Sequence, residues 1–417
     1  MRARLVLVLA ASVGLAACQG DDLAPPPSTA ESAAEVQENF LTLVSKPALD
    51  KTQQNRLTAV RGRRHAAEVH LARIAVTPGR LLGKGNAIRL QVAPGVSVVA
   101  NGERVERRSA TDVSWGGPVR GAFGYVQMVL SPEGVTATVT VGETQYSIEP
   151  LGNGVHAVTK IDPSGYPQEH TADNPSGALD ASAAPVAPGE ATAQALTTLN
   201  VLVVYTASAA SAAGNIGSKI QLAVDETNQS YANSGININM VRVHTAQVTY
   251  NEAGRSFGSH VTALRSTTDG LIDNVHTLRN TYAADVVVLV VNDSEACGQA
   301  AAIKATATSA FAVAHWSCIT GYYSFAHEIG HLQGARHDRF VDGTLTPYQY
   351  GHGFIPSSKN WRTIMAYGNN CSNCTRIKWW SNPLKTYPTT GQVMGTATYE
   401  DNARVLNVTA SAMALFR

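Results

Sequence analysis

The fold of this chain depends on one stretch, HEIGHLQGARHD at residues 327–338. Residues four apart on an α-helix share a face, so the imidazoles of His327 and His331 can bind one metal ion. Gly334 can adopt the left-handed conformation that ends a helix, which lets the chain turn and bring His337 back as a third ligand. Three histidines with a fourth position left for water are a ligand set of catalytic zinc, so the stretch predicts a Zn2+ site.

Glu328 follows directly after the first of these histidines. A carboxylate beside the metal, without pointing straight at it, suits a general base that takes a proton from a zinc-bound water. The alternative is that two histidines and a glutamate form only a partly solvated helix face, since short motifs also match by chance. The longer pattern favours the metal site, because the glycine and the third histidine are correctly spaced and TIMAYG follows at residues 363–368.

The combination of HExxHxxGxxH with a downstream turn containing methionine resembles the metzincin metalloproteases. This resemblance implies that Met365 forms an apolar floor beneath the zinc without binding it. It also implies that Tyr367 can reach the metal and then hydrogen-bond the oxyanion, as in the astacin-like and serralysin-like branches. Asp338 after the third histidine is instead typical of the reprolysin-like branch, so the chain combines features of two branches.

Residues 199–417 predict an α/β (α+β) metzincin catalytic domain with a mixed, mostly parallel sheet and a zinc helix that begins near Tyr322. Strand and helix patterns alternate along it, at residues 199–205, 216–232, 236–250, 259–283 and 286–291. The resemblance implies an antiparallel edge strand along the cleft, for which Gly298 to Lys304 is the candidate. His315 is better explained by alternation within a strand than as a further ligand.

The first 18 residues are interpreted as an export signal. Residues 1–4 contain arginines and residues 5–17 are apolar, and this run is too short to span a membrane as a mature helix. Its end, Leu-Ala-Ala-Cys, resembles a bacterial lipobox in which Cys18 is lipidated, with ordinary cleavage nearby as the alternative. We therefore expect a protein exported from a bacterial cell, either secreted or attached to a membrane only through this lipid.

Residues 19–172 are predicted to form a propeptide with a helical start and a β-rich remainder. Within it, residues 30–60 carry apolar side chains at helical spacing, namely Val36, Phe40, Leu41 and Val44. Residues 70–161 contain short alternating strands separated by Gly and Pro, without a catalytic constellation. This pattern predicts an all-β unit.

A flexible linker is predicted at residues 173–198, which are rich in Ala, Pro, Ser and Gly. The order of segments is that of a zymogen, so we expect the propeptide to inhibit the enzyme intramolecularly, and Asp180 is a candidate self-cleavage position. Latency through a propeptide cysteine is excluded, because no cysteine lies between Cys18 and Cys297. A carboxylate or imidazole within residues 162–170 is the candidate substitute, with a plain surface turn as the alternative.

Four cysteines remain beyond the export signal, an even number in a chain bound for an oxidising compartment. Of the three possible pairings we favour disulfides between Cys297 and Cys318 and between Cys371 and Cys374. A structural zinc ion on these thiols is the competing interpretation, although a second Cys-x-x-Cys is missing.

The composition does not indicate nucleic-acid binding. The chain has 32 Lys and Arg against 31 Asp and Glu, without a clustered basic face or a ladder of stacking aromatics. Hydrophobic residues make up 44% of its 417 positions, which is ample apolar material for two cores of ordinary size. One catalytic zinc ion is the expected cofactor, and no pattern assigns calcium.

Further motifs narrow the resemblance to the bacterial peptidyl-Asp metalloendopeptidases: YGHGF at 350–354, WRTIMAY at 361–367 and WSNP at 380–383. The resemblance implies cleavage of proteins on the N-terminal side of Asp, and more weakly of Glu. A pocket for a carboxylate must offer a cation, and Arg376 and Lys378 lie in the segment that forms the pocket wall in metzincins. Two alternatives stay open, a metzincin of different specificity and a catalytically inactive zinc-binding surface lipoprotein.

Overall fold

Two β-sheets organise the residues that the computed structural model describes, which are 39–75, 77–167 and 195–417. The larger sheet has ten strands, all within the first two ranges. They are β1 (Asn39–Leu43), β2 (Ala66–Ile74), β3 (Ala87–Ala93), β4 (Val96–Asn101), β5 (Arg104–Arg107), β6 (Val113–Pro118), β7 (Gly124–Ser131), β8 (Gly134–Val141), β9 (Thr144–Gly152) and β10 (Val155–Ile161). Two helices accompany them, α1 (Lys51–Arg61) and α2 (Pro78–Leu81).

The ten strands lie in the order β4-β3-β1-β2-β10-β9-β8-β7-β6-β5. Neighbouring strands are antiparallel, except that β1 and β3 are parallel. Apolar side chains from most of these strands form one buried cluster around the fully buried Trp115. The strands agree with the alternating pattern seen in the sequence of this region.

The predicted helical start is wrong for residues 39–43, which form strand β1. Phe40 and Leu41 are fully buried, and β1 fills the place between β2 and β3. Pairing on both sides therefore outweighs the helical spacing of these side chains. The helix α1 begins only after Asp50, whose carboxylate accepts a hydrogen bond from the backbone N–H of Gln53 at 2.9 Å. Residues 30–38 lie outside the described residues.

The second sheet has five strands in the order β12-β11-β13-β15-β14. They are β11 (Thr197–Thr206), β12 (Ile238–Val248), β13 (Val286–Val291), β14 (Gly298–Ala300) and β15 (Phe311–His315). All neighbours are parallel except β14, which runs antiparallel to β15 at the edge. Alternate residues of β13 enter two different buried clusters, so both faces of the sheet are covered. The predicted mixed, mostly parallel sheet is confirmed.

Six helices belong to residues 195–417. They are α3 (Ala207–Ala213), α4 (Ile216–Ser234), α5 (Phe257–Arg265), α6 (Asn274–Thr281), α7 (Ser324–Gln333) and α8 (Asn402–Met413). The single helix predicted for residues 259–283 is wrong, because a loop separates α5 from α6. In this loop the Ser266 hydroxyl accepts hydrogen bonds from the backbone of Thr268 and Asp269 at 3.3 and 3.1 Å. Such local bonds compete with the helical ones and end α5.

Between α7 and α8 the chain forms a 3-10 turn at Asn369–Cys371 and four short strands. They are β16 (Trp361–Arg362), β17 (Thr375–Arg376), β18 (Asn382–Thr386) and β19 (Val393–Met394). Both predicted disulfides are confirmed, Cys297–Cys318 between the start of β14 and the segment before α7, and Cys371–Cys374 just before β17. The alternative of a zinc ion on these thiols is therefore wrong.

Helix α4 packs against β12 on one side and against β7 of the ten-stranded sheet on the other. A buried ion cluster joins the two, because Glu149 of β9 accepts hydrogen bonds from Arg63 at 2.7 Å and from Lys219 of α4. Burial alone raises the pKa of Glu149, but the charges of Arg63 and Lys219 hold it below its usual range. Within the described ranges, every helix is too short or too polar to cross a bilayer.

Candidate metal centre and catalytic site

Three histidine imidazoles meet at the end of α7. The helix carries His327 and His331 one turn apart, and it ends at Gly334, whose φ of 108° turns the chain back towards them. The Nε2 atoms of His327 and His331 are 3.2 Å apart. Nε2 of His337 lies 3.2 Å from that of His327 and 2.8 Å from that of His331. All three side chains are buried. They are the one set of three or more metal-ligating groups found within the described ranges.

Backbone carbonyls orient the two helical ligands. Nδ1 of His327 donates to the carbonyl of Ile364, and Nδ1 of His331 donates to that of Ala335, both at 2.9 Å. With the proton on Nδ1, the lone pair of each Nε2 faces the common point. Burial lowers the pKa of His331 to about 4, and burial with the neighbouring His331 lowers the pKa of His327 and His337 well below the usual value. The three imidazoles are therefore neutral ligands at neutral pH.

This arrangement fits a divalent metal ion. Three nitrogen lone pairs at such short distances repel one another unless a cation lies among them. Imidazole nitrogens bound tetrahedrally to zinc at about 2.0–2.1 Å lie about 3.3 Å apart. The observed separations of 2.8–3.2 Å are close to that value.

Met365 packs against α7 at Gly330, between the two helical ligands. A Cβ built on this glycine would lie 2.9 Å from the Met365 sulfur and 2.6 Å from the ring of Trp380. Only a residue without a side chain allows so close an approach of both groups. Met365 belongs to the turn at residues 363–368, called the Met-turn below. It is fully buried and supports the helix by apolar contact.

Glu328 lies on α7, fully buried and directed at the edge strand β14. A side chain at Gly298, the first residue of β14, would overlap the carboxylate, so glycine there makes room for it. The edge strand is shorter than predicted, because it ends at Ala300 rather than Lys304. The carboxylate therefore lies between the ligand helix and the strand expected to bind an extended substrate.

Tyr367 packs on the third ligand, with its ring centroid 4.1 Å from that of His337. Its ring lies 6.1 Å from that of His327, and its backbone N–H donates to Asp338 Oδ2 at 2.8 Å. Asp338 thereby joins the segment after the third ligand to the Met-turn. The backbone of Tyr367 is thus in direct contact with the side chain of Asp338.

Arg376 and Lys378 are both buried near the start of α7. Arg376 donates to the Tyr322 carbonyl at 2.9 Å, and its guanidinium lies 4.4 Å from the centre of the Tyr322 ring. Burial is the main cause that lowers the pKa of all three ligand histidines, and the positive charge of Arg376 is one of the lesser causes. Lys378 lies towards α4, with Nζ 4.0 Å from a carboxylate oxygen of Glu226.

A cavity of about 430 Å³ lies beside these two cations. Part of its wall comes from Tyr323 and the segment after the Met-turn, and α4 contributes Gln229 and Asn233. The ten-stranded sheet closes the remaining side with Phe123 and Tyr125, and the Tyr125 ring lies 5.3 Å from Nζ of Lys378. The ten-stranded sheet, called the N-terminal sheet below, therefore contributes directly to the cavity that Arg376 and Lys378 line.

Other candidate residues do not join the histidines. His315 belongs to β15 and lies beside Trp316, with ring centroids 5.7 Å apart, outside the metal-ligating group. The carboxylate of Asp162 accepts a hydrogen bond from the backbone of Ser164 at 2.9 Å, so it closes its own turn. Cys18, Asp180 and residues 168–170 lie outside the described residues.

His352 and Arg362 belong to the site although the sequence reasoning assigned them no role. His352 donates from Nδ1 to the His337 carbonyl at 2.8 Å, and Arg362 donates to the Tyr322 hydroxyl at 3.2 Å. A histidine between two glycines in YGHGF is a signal that could have identified the first. No local pattern distinguishes Arg362 from an ordinary arginine.

The chain is similar in sequence to known metallopeptidases. The model of Metallo-peptidase family M12 (Reprolysin_5) matches residues 195–381. The chain is 37% identical over 403 residues to the Peptidyl-Asp metalloendopeptidase of Xanthomonas campestris pv. campestris, covering 90% of each protein. It is 43% identical over 303 residues to that of Stenotrophomonas maltophilia, covering 70% of each. Among solved structures, metalloproteinase-II from Bacteroides fragilis aligns over 62% of this chain and 84% of that chain, with 17% identity and a TM-score of 0.39.

Proposed function

This chain belongs to the peptidyl-Asp metalloendopeptidase family and is a metalloendopeptidase. From this premise we propose that it is an exported zinc zymogen that cleaves proteins on the N-terminal side of Asp, and less readily of Glu. The observation that carries the proposal is the convergence of three neutral, buried imidazoles, with the buried Glu328 directly after the first of them on α7.

Zinc is the metal that the donor set favours. Three neutral imidazoles with an open fourth position suit zinc, whereas calcium and magnesium prefer sites built from oxygen ligands. His327, His331 and His337 would hold the ion through Nε2. Bound there, zinc would polarise the scissile carbonyl and lower the pKa of a bound water, so that this water could lose a proton and attack the carbonyl carbon.

The chain's own residues then move protons and stabilise charge. Glu328 takes a proton from the attacking water and passes it to the leaving amine. Tyr367 donates a hydrogen bond from its hydroxyl to the carbonyl oxygen as negative charge develops there. Its ring contact with His337, at 4.1 Å between centroids, supports this role because it keeps the phenol beside the ligands.

Arg376 is the proposed recognition group for the substrate carboxylate, and Lys378 lines the same cavity. A buried carboxylate needs a paired cation, and a guanidinium offers a forked set of donors to it. Two observations support Arg376 over the lysine: it donates to the Tyr322 carbonyl close to the start of α7, and Lys378 already lies 4.0 Å from a carboxylate oxygen of Glu226.

We propose that the N-terminal sheet keeps the proform latent. In this proposal the sheet belongs to a propeptide at residues 19–172, which a linker at 173–198 joins to a protease domain at 199–417. Gln145 of this sheet donates to the Gly321 carbonyl and the Tyr323 hydroxyl at 2.9 and 2.8 Å. Tyr166 stacks on Tyr322 with centroids 4.4 Å apart. These contacts lie on the residues just before the ligand helix, which supports inhibition by obstruction of the cleft.

Export is proposed from the signal-like residues 1–18, with Cys18 as a lipidation site and Asp180 as a self-cleavage position in the linker. The two disulfides support an oxidising compartment outside the cytoplasm. Replacement of Asp180 by Ala should stop or slow conversion of the proform. Unaltered maturation of that variant would reject the self-cleavage position.

The proposed function is tested by digesting a denatured protein with purified enzyme, with and without a chelator, and mapping the new N-termini by mass spectrometry. We expect chelator-sensitive cleavage before Asp. The Glu328→Gln variant should bind one equivalent of zinc but lose about 10²- to 10⁴-fold in activity. Cleavage before unrelated residues would indicate another specificity, and zinc binding by the unaltered chain without any cleavage would indicate an inactive binding protein.

A further inference from the structure

His337 is the ligand histidine that no regular element holds. His327 and His331 are fixed by α7 and by hydrogen bonds from Nδ1 to backbone carbonyls. His337 lies beyond Gly334, outside any helix or strand. Within the described ranges, the hydrogen-bond contacts of its ring are with the other two ligand rings alone. Its direction must therefore be set largely through its backbone.

His352 makes that backbone contact. Its Nδ1 donates to the His337 carbonyl at 2.8 Å, and its side chain is fully buried. The neighbouring glycines hold the residue before the ligand, because Arg336 donates to the Gly351 carbonyl at 2.7 Å and accepts from Gly353 at 3.0 Å. Residues 351–353 therefore bind two consecutive residues of the third-ligand segment.

The backbone of His352 is itself held by distant parts of the chain. Its N–H donates to the Tyr399 carbonyl at 3.0 Å, and its carbonyl accepts a hydrogen bond from the Ser381 hydroxyl at 2.6 Å. On the other side, a Cβ built on Gly353 would lie 2.6 Å from the backbone nitrogen of Ala366 in the Met-turn. The imidazole of His352 thus projects from a fixed segment that lies between the third ligand and the Met-turn.

We propose that His352 is a positioning residue for the third metal ligand, holding the His337 carbonyl so that the His337 imidazole points at the other two. This inference rests on the proposed function, because it concerns the same metal site. Without the N–H donor, the His337 carbonyl loses its partner and the ligand can move away from the shared point. Groups that orient metal ligands typically contribute about 10- to 100-fold in metal affinity.

The test uses the full chain with Glu328→Gln, which prevents self-cleavage, in metal-free form. His352→Leu keeps much of the side-chain volume but removes the donor, whereas His352→Asn keeps an N–H near the position of Nδ1. Zn2+ affinity is measured by competition with a chelator, and Co2+ binding by its visible absorption spectrum. The Leu variant should bind zinc about 10- to 100-fold more weakly with altered Co2+ bands, while the Asn variant should stay within about threefold of its parent.

Equal weakening by Leu and Asn would overturn the inference, because volume and not the hydrogen bond would then matter. Unchanged affinity and an unchanged Co2+ spectrum in the Leu variant would overturn it as well. If the Leu variant does not fold, His352→Ala replaces it in the same comparison with Asn. A parent protein that binds neither metal would contradict the proposed function itself, which separates the two failures.

Discussion

Arg376 and Lys378 are two buried cations with different electrostatic roles at the residue scale. Arginine stays charged when buried, and the charge of Arg376 adds to burial in lowering the pKa of the ligand histidines. Burial lowers the pKa of Lys378, and the nearby Glu226 opposes this shift. Arg376 therefore offers a permanent positive charge near the metal site, whereas Lys378 is largely matched by a carboxylate of its own domain.

Arg376→Gln should remove the preference for Asp. A charge-assisted hydrogen bond contributes about 1.5–3 kcal/mol, so the ratio of kcat/KM between an Asp peptide and its Asn analogue should fall by about 10- to 150-fold. The measurement is peptide hydrolysis by the matured enzyme, with zinc content determined in parallel.

Two variants control this prediction. Arg376→Lys keeps the charge and should keep part of the preference, and Lys378→Met should leave the ratio close to that of the unaltered enzyme. An unchanged ratio in Arg376→Gln, or its loss in Lys378→Met, would assign recognition to another residue.

At the scale of a secondary-structure element, Gly330 determines how closely helix α7 packs on the Met-turn. Alanine is the better helix former by about 1 kcal/mol, so the helix itself would be more stable without Gly330. The Met365 sulfur and the Trp380 ring occupy the space that a side chain would need. Packing of the helix on the Met-turn thus takes precedence over helix propensity.

Gly330→Ala should destabilise the protein by up to about 2 kcal/mol and weaken zinc binding, because overpacking costs about 1–3 kcal/mol and the gain in helix propensity offsets only about 1 kcal/mol of it. Urea unfolding and chelator competition measure the two effects. Gly217→Ala on α4 is the matched control, since a Cβ there meets no atom within 4 Å. It should stabilise by about 0.5–1 kcal/mol, and the same sign for both variants would contradict the argument.

Strands β8 and β10 are joined by a side chain as well as by the sheet to which they belong. His156 of β10 is fully buried, and its Nε2 accepts a hydrogen bond from the backbone N–H of Val135 at 2.9 Å. Burial lowers the pKa of His156 from 6.5 to about 4. Below pH 6.5 the unfolded chain binds a proton that the folded chain does not, so this residue makes folding less favourable as the pH falls from 6.5 towards 4.

His156→Gln removes this titration and leaves an oxygen that can accept the Val135 hydrogen bond. The loss of unfolding free energy between pH 7 and pH 4.5 should be about 2–3 kcal/mol smaller than in the parent, measured by urea unfolding in the Glu328→Gln background. Parallel pH curves for the two proteins would show that His156 does not contribute.

The whole molecule is joined across α4 by buried charges. Glu149 of the N-terminal sheet lies between Arg63 of the same region and Lys219 of α4, and Arg63 also lies 4.8 Å from the centre of the Trp316 ring. Two cations thus contact one carboxylate, and these directional contacts hold the two sheets in one orientation. This agrees with the contacts of Gln145 and Tyr166 on the residues just before α7.

Lys219→Met should destabilise the full chain by about 1.5–3 kcal/mol, because the buried Glu149 carboxylate loses one of its two charged hydrogen-bond donors. It should also increase hydrogen exchange in β9 and α4. Lys160→Met removes a surface pair with Glu68 and is the control, with unfolding expected to stay as in the parent. Equal effects of the two variants would show that the buried cluster does not hold the sheets together.

Local patterns predicted much of the fold and of the site. The spacing of His327 and His331, the apolar run of β13, the edge position of Gly298 and both disulfides could be read or inferred from the chain. These features depend on residues a few positions apart, or on a family resemblance carried by such motifs. The helix predicted over β1 failed because the same local spacing is also compatible with a strand once two neighbours pair with it.

The sequence by itself determined which residues could bind a metal and which faces of the elements are apolar, since both follow from the period of a helix or strand. Only the tertiary structure decided that His352 holds the His337 carbonyl, that Gly298 makes room for Glu328 and that Lys219 pairs with Glu149. The physical reason is that these contacts join segments far apart in the chain. Their formation depends on how whole elements pack, and no local periodicity carries that information.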